Sequence, residues 1–149
     1  GRNLELADMT SRNLDAGLAE ILEIEDDDVS VNSRQLILGN VLRSLNAHLS
    51  YRKHMRSAVT GQAVLQYLLE NEEFPRSINH CVNALINSAE ALPRSEKVVK
   101  QLKGMQKNLL ININYDQTGP QLRDFINDIQ IELAKLHTSI RKTWFPASP

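Results

Sequence analysis

An all-α protein, an antiparallel bundle of about five to six helices, is the fold class the sequence predicts. Three observations carry it. Apolar residues recur every three to four positions through most of the chain, which lays one apolar face along a helix. The composition is 42% apolar but only 5% aromatic, whereas strands gather aromatic and β-branched residues. Short breaks rich in Pro, Asp, Asn or Gly separate the periodic segments, as between neighbouring helices of a bundle. At 149 residues one core is enough, since a chain of this size buries roughly two thirds of its unfolded surface.

Helix one is expected over 2–23, with Leu4, Ala7, Leu14, Leu18, Ile21 and Leu22 inward. Leu6 and Met9 fall on its other side and form a candidate partner patch. The acidic run "EIEDDDVSVN" at 23–32 lacks periodicity and reads as an exposed loop. Asn32 with Gln35 resembles a capping box, and Leu38, Val41, Leu42, Leu45 and Leu49 continue as the stripe of helix two. That helix is expected to reach about residue 50 or to continue through the basic stretch "YRKHMR" at 51–56.

Thr60 and Gly61 open helix three, whose Val64, Leu65, Leu68 and Leu69 face inward before "ENEEFP" ends it. Pro75 cannot continue a helix, and Ser77 is placed to accept from the backbone N–H of His80, so "PRS" at 75–77 is a helix boundary. The tripeptide returns at Pro93, Arg94 and Ser95, again just before an apolar stripe. Helix four carries Ile78, Cys81, Val82, Leu85, Ala89 and Leu92, and helix five Val98, Leu102, Met105, Leu109 and Ile113. Thr118 and Gln121 bracket Pro120 as a second capping box. The last helix, about 120–143, has the cleanest stripe, Leu122, Phe125, Ile129, Leu133, Leu136 and Ile140, with Trp144 and Phe145 at its tip.

Seventeen Lys and Arg against eighteen Asp and Glu leave a formal charge of −1, so no global field draws the chain to nucleic acid or anionic lipid. "YRKHMR" could touch phosphate locally, but a solvated helix end is the preferred reading. A single cysteine permits neither an internal disulfide nor a Cys-based metal site. No apolar run reaches the roughly 18 residues that span a bilayer. The chain is therefore expected to be soluble and cytoplasmic, without membrane contact.

Little in the residues points to catalysis. Neighbouring helix residues point about 100° apart, so His80 and Cys81 cannot serve one substrate as base and nucleophile. Cys81 lies on an apolar stripe and reads as a core residue. The four histidines lack zinc spacing, and Asp124, Asp128 and Glu132, each four residues apart, read as a solvated acidic face. No metal, cofactor or phosphate loop is implied. Glu5, Asp8 and Arg12 stand one turn apart and can pair, or form part of a polar ligand cluster.

"GRNLELADMTSRNLD" at 1–15, "VLRSLNAHLSYRKHM", "VLQYLLENEEFPRSINHCV" and the amphipathic closing helix ending in an aromatic pair together resemble the bacterial alpha-E domain family. The resemblance implies an all-helical domain without an assigned reaction. It places Glu5, Asp8, Arg12, Tyr51, Arg52, Pro75, Arg76 and Ser77 on family motif positions, whereas Leu6 stands where an arginine is usual. Its genes accompany ATP-grasp-type carboxylate–amine ligases and transglutaminase-like proteases, which makes a ligase or protease the implied partner.

The chain opens on Gly1 with helical periodicity at once. It is therefore expected to form a single helical domain over 1–149, corresponding to the C-terminal half of a larger alpha-E domain, and to associate into a homo-oligomer. The leading functional expectation is an interaction module rather than an enzyme. Its rival is a ligand-binding or enzymatic domain using Glu5, Asp8, Arg12, Tyr51, Arg52 and Arg76, completed by an upstream half.

Overall fold

The computed structural model describes residues 2–22, 30–55, 61–109 and 120–145. All regular structure among them is helical: α1 (Arg2–Leu22), α2 (Ser30–Ser44), α3 (His48–Met55), α4 (Gly61–Glu70), α5 (Ile78–Glu90), α6 (Glu96–Leu109) and α7 (Pro120–Trp144). Helix α1 packs against α7, α5 and α2, α5 against α6, and α6 against α7, so α1, α5, α6 and α7 close a ring. Helices α2, α3 and α4 form a second group that leans on the ring through α1 and α5.

The inward stripes supply the core. Leu4, Ala7 and Leu14 of α1, Val98, Leu102 and Met105 of α6, and Leu122, Ile129, Leu133 and Leu136 of α7 are buried together. Ile126 and Ile86 join them, two positions the periodicity did not single out. Fully burying a Leu or Ile side chain contributes about 1.5–3 kcal/mol, so these stripes are what hold the ring closed. Where α1 crosses α2 the helices come close: a Cβ placed on Gly17 would meet Val41 Cγ2 at 2.7 Å.

The element count departs from expectation at one place. Helix two does not run to residue 50 or 56; it stops at Ser44, and α3 starts at His48. Asn46 takes φ 54°, its N–H donates to the Arg43 carbonyl at 3.0 Å, and the Ala47 N–H reaches back to the Leu42 carbonyl at 2.7 Å. This pair of bonds with a left-handed residue between them is a Schellman stop, and Asn is the residue other than Gly that tolerates it best. The break shifts the register, so Leu49, expected to continue the inward stripe, is 81% exposed.

Other boundaries shift less. Helix α2 begins at Ser30, two residues before the expected cap at Asn32. Helix α4 begins at Gly61 and α7 at Pro120, as the breaks foretold; of the loop expected at 23–32, residues 30–32 are instead the first turn of α2, while 23–29, Thr60, Ile113 and Thr118 lie outside the described residues. Leu92, expected on the stripe of helix four, falls beyond the end of α5 and is exposed.

Candidate functional site

Segment 71–81, where α4 turns into α5, is the most densely bonded stretch described. Asn71 Oδ1 accepts from the N–H groups of Glu73 at 2.9 Å and Phe74 at 2.7 Å, the side-chain turn that Asn favours. The Ser77 hydroxyl donates to the Asn71 carbonyl at 2.5 Å and accepts from the His80 N–H at 3.4 Å. Ser77 is thus the N-cap of α5, with extended backbone (φ −61°, ψ 141°), as its position after Pro75 predicts. The Asn79 amide donates to the Glu70 carbonyl at 3.1 Å and so secures the last turn of α4.

Within this segment His80 and Cys81 are both engaged by backbone. The Glu72 carbonyl can only accept, so the His80 Nδ1 at 2.8 Å carries the proton. The Cys81 thiol donates to the Pro75 carbonyl at 3.3 Å and is fully buried. Burial pushes its pKa from an ordinary 9.0 up to about 11, so the thiolate that nucleophilic catalysis needs is suppressed at neutral pH.

Arg76 ties the segment to the rest of the fold. Its Nη1 donates to the Leu45 carbonyl at 3.0 Å, one of the carbonyls left over where α2 stops. Its own carbonyl accepts from the Thr10 hydroxyl on α1 at 2.6 Å. Thr10, Ser11 and Ser77 are all fully buried, and Ser11 donates to the Asp8 carbonyl at 2.8 Å. Arg76 Nε is buried with no hydrogen-bond acceptor.

The remaining residues singled out by sequence are placed as follows. Asp8 and Arg12 form an ion pair at 2.9 Å on the outside of α1, with the Arg12 side chain 74% exposed. Glu5 and Arg52 are exposed. Tyr51 is buried and packs edge-on against Tyr67, which stacks on Phe74. Ser50 and Tyr67 share a hydrogen bond, while burial pushes the Tyr67 phenol up against the lowering effect of that bond. Of the partner patch, Leu6 is half-buried against the core and Met9 is exposed.

Arg76 is therefore bonded to Leu45 and Thr10, and Asp8 to Arg12. The sequence reading gave no role to Thr10, Asn71, Tyr67 or Phe74, and it placed Leu45 on the stripe of helix two without a part in this junction. Asn71 carried a usable signal, an Asn just past an apolar stripe and four residues before a proline; a Thr that bonds a distant carbonyl carried none.

A second feature lies between α6 and α7, a groove of about 450 Å³ bordered by Gln101, Gly104, Met105, Asn108 and, on α7, Asp128, Ile131, Glu132 and Lys135. Glu132 pairs with Lys135 at 3.3 Å. Among the described residues no three His, Cys, Asp or Glu side chains gather to hold a metal ion, and no helix is long and apolar enough to cross a membrane.

Fold and junction together define an all-helical domain whose distinctive polar residues staple helix ends. The chain belongs to the Alpha-E family, described as a predicted alpha-helical domain with a conserved ER motif, and the match spans residues 1–145. Because the match runs over nearly the whole chain, the expectation that it corresponds to only the C-terminal half of that domain is not borne out. No Glu-Arg dipeptide occurs in the chain; Glu5 is followed by Leu6, which packs on the core instead. The chain matches no curated protein and no solved structure.

Proposed function

We propose that this domain is a noncatalytic interaction module that binds a ligase or protease of the kinds the family accompanies, or presents substrate to it. One observation carries this reading: the side chains that most resemble chemistry are used up in holding helix ends. Arg76 serves the Leu45 carbonyl, His80 that of Glu72 and Cys81 that of Pro75. In this reading the chain is cytoplasmic, folds as one domain, and arranges α1, α5, α6 and α7 as an antiparallel bundle.

Copurification with an ATP-grasp-type carboxylate–amine ligase and with a transglutaminase-like protease is the test. Stable association with one of them, without turnover by the isolated chain, is expected. Failure to bind either argues against the reading, and a turnover abolished by changing one polar side chain overturns it.

A second reading is favoured by the buried Arg76 Nε that lacks an acceptor, because such a donor is a place for a ligand oxygen. Here Glu5, Asp8, Arg12, Tyr51, Arg52 and Arg76 contribute to a small-molecule site. A thermal-shift screen against nucleotides, amino acids and short peptides decides it. A stabilisation that disappears in Arg76→Met supports the ligand site, and no shift from any compound removes it.

A further inference from the structure

One end of the helical ring carries an apolar and cationic cluster that the fold leaves outside. The Trp144 indole donates to the Pro93 carbonyl at 2.8 Å, so the tip of α7 lies against the corner between α5 and α6. Trp144 is half-buried on the core, whereas its neighbour Phe145 is 71% exposed, and Leu92, next to the accepting proline, is 46% exposed. Every residue from Ala91 to Arg94 is exposed, so the corner projects; the walls of a cleft would be half-buried.

The charges around it are uneven. Arg94 and Lys97 beside the corner and Arg141 and Lys142 in the last turn of α7 are exposed and form no ion pair among the described residues. The neighbouring carboxylates are Glu90, which pairs with Lys103 at 3.5 Å, and Glu96. No carboxylate occurs in residues 133–145. The exposed start of α1, which packs on α7, carries one charge of each sign, Arg2 and Glu5. Helix stability accounts for Arg141 and Lys142, since cations suit a helix C-terminus, but not for the other two. Lys97 stands in the first turn of α6, where the dipole disfavours a cation, and Arg94 holds a φ of 58° that glycine would adopt without strain.

We propose that this end of the ring binds the surface of an anionic lipid bilayer, with Phe145 and Leu92 entering the headgroup region while Arg94, Lys97, Arg141 and Lys142 meet lipid phosphates. A projecting apolar tip flanked by four cations against the unpaired Glu96 matches a flat anionic surface with an apolar interior. It lacks the concave walls that enclose a small ligand. The expectation of no membrane contact came from the charge of the whole chain and from the lack of a spanning run, and neither describes one corner. The attachment is peripheral, reversible and weakened by salt, and it needs no ligase or protease partner.

Trp144 is the sole tryptophan, so its fluorescence reports the contact directly. Titrating the full chain with vesicles of equal parts phosphatidylcholine and phosphatidylglycerol is expected to shift its emission at low salt but not at high salt, and flotation to carry the chain with the vesicles. Phosphatidylcholine alone is expected to do neither. Arg94→Gly is expected to weaken partitioning about fivefold, the loss of one cation at an anionic surface. Phe145→Ala should weaken it by at least as much, and Lys53→Ala, on α3 in the other group of helices, should leave it unchanged. Should Phe145→Ala fail to fold by circular dichroism, Lys142→Ala takes its place.

No binding to the anionic vesicles, equal binding to phosphatidylcholine alone, or a loss with Lys53→Ala as large as with Arg94→Gly would each overturn the proposal. Binding to polyglutamate without binding to vesicles would overturn it as well and assign the corner to an acidic protein segment. Copurification with ligase or protease is scored separately, so a chain that binds one of them but no vesicle sinks the bilayer contact and leaves the module reading standing.

Discussion

Pro75-Arg76-Ser77 and Pro93-Arg94-Ser95 are the same three residues, each placed directly before a helix, yet the fold uses them differently. Arg76 is half-buried and bonded to the Leu45 carbonyl, and Ser77 is a fully buried cap with two hydrogen bonds. Arg94 is exposed and takes φ 58°, a left-handed conformation that disfavours any residue with a Cβ. Around the second tripeptide the bonds are backbone or peripheral: the Ser95 carbonyl accepts from Val99 at 2.8 Å, and the Pro93 carbonyl accepts from Trp144 Nε1 at 2.8 Å. The first copy joins three parts of the chain. The second turns a corner between α5 and α6. A sequence motif states that a helix begins; what else its side chains do depends on what the rest of the chain brings within reach.

Substitution at the arginines gives the largest expected contrast. Arg76→Ala leaves the Leu45 carbonyl without its donor and should destabilise by about 1–3 kcal/mol. Arg94→Ala should stay within about 0.5 kcal/mol. Urea denaturation, with the midpoint falling for the first and the slope unchanged, checks both. Equal effects would show that the two tripeptides are equivalent after all.

The serines come next. Ser77→Ala removes an N-cap and a buried bond to Asn71, for a loss of about 1–2 kcal/mol, and Ser95→Ala should lose clearly less. Thermal melts of the two variants side by side measure the difference.

Cys81 sharpens the contrast from the alkaline side, because the Pro75 carbonyl is served by its titratable thiol whereas the Pro93 carbonyl is served by the Trp144 indole, which does not titrate. Its folded pKa of about 11 lies above the ordinary 9.0, so the folded state holds the proton more tightly than the unfolded chain. The corresponding stability is complete below about pH 9 and is lost as pH rises through about 11. Cys81→Ala should remove that part of the alkaline decline in a stability-versus-pH series. The native wild-type thiol should resist thiol reagents at pH 8 and react once denaturant unfolds the chain.

A small gain is expected at Arg94→Gly. Glycine adopts positive φ freely, so the change should stabilise by up to about 1 kcal/mol, reduced by the extra freedom it gives the unfolded chain. An increase in melting temperature of a few degrees would reveal it; a decrease would mean that the Arg94 side chain contributes more than its exposure implies.

The inward faces of α1, α4, α6 and α7 were legible because a helix repeats every 3.6 residues and burial follows that period locally. Leu4, Val64, Leu102 and Leu133 needed no knowledge of their partners to be placed inside. The Ser77 cap was legible for the same reason, since its acceptor and donor lie three residues apart. The candidate site was less legible. Glu5, Asp8, Arg12, Tyr51, Arg52 and Arg76 were named by spacing and resemblance, and the fold gives Asp8 to Arg12, Arg76 to the backbone and Tyr51 to an aromatic cluster.

By itself, then, the sequence determined that this is an all-helical chain, where most helices begin, and which side of most of them is apolar. Only the tertiary structure decided that helix two breaks at Leu45–Ala47, that Leu49 is thereby turned to solvent, and that Arg76 serves the broken end. The reason is distance along the chain. The bond from Arg76 to Leu45 spans 31 residues and that from Thr10 to Arg76 spans 66, and no local pattern records which carbonyl a folded chain will bring to a given side chain.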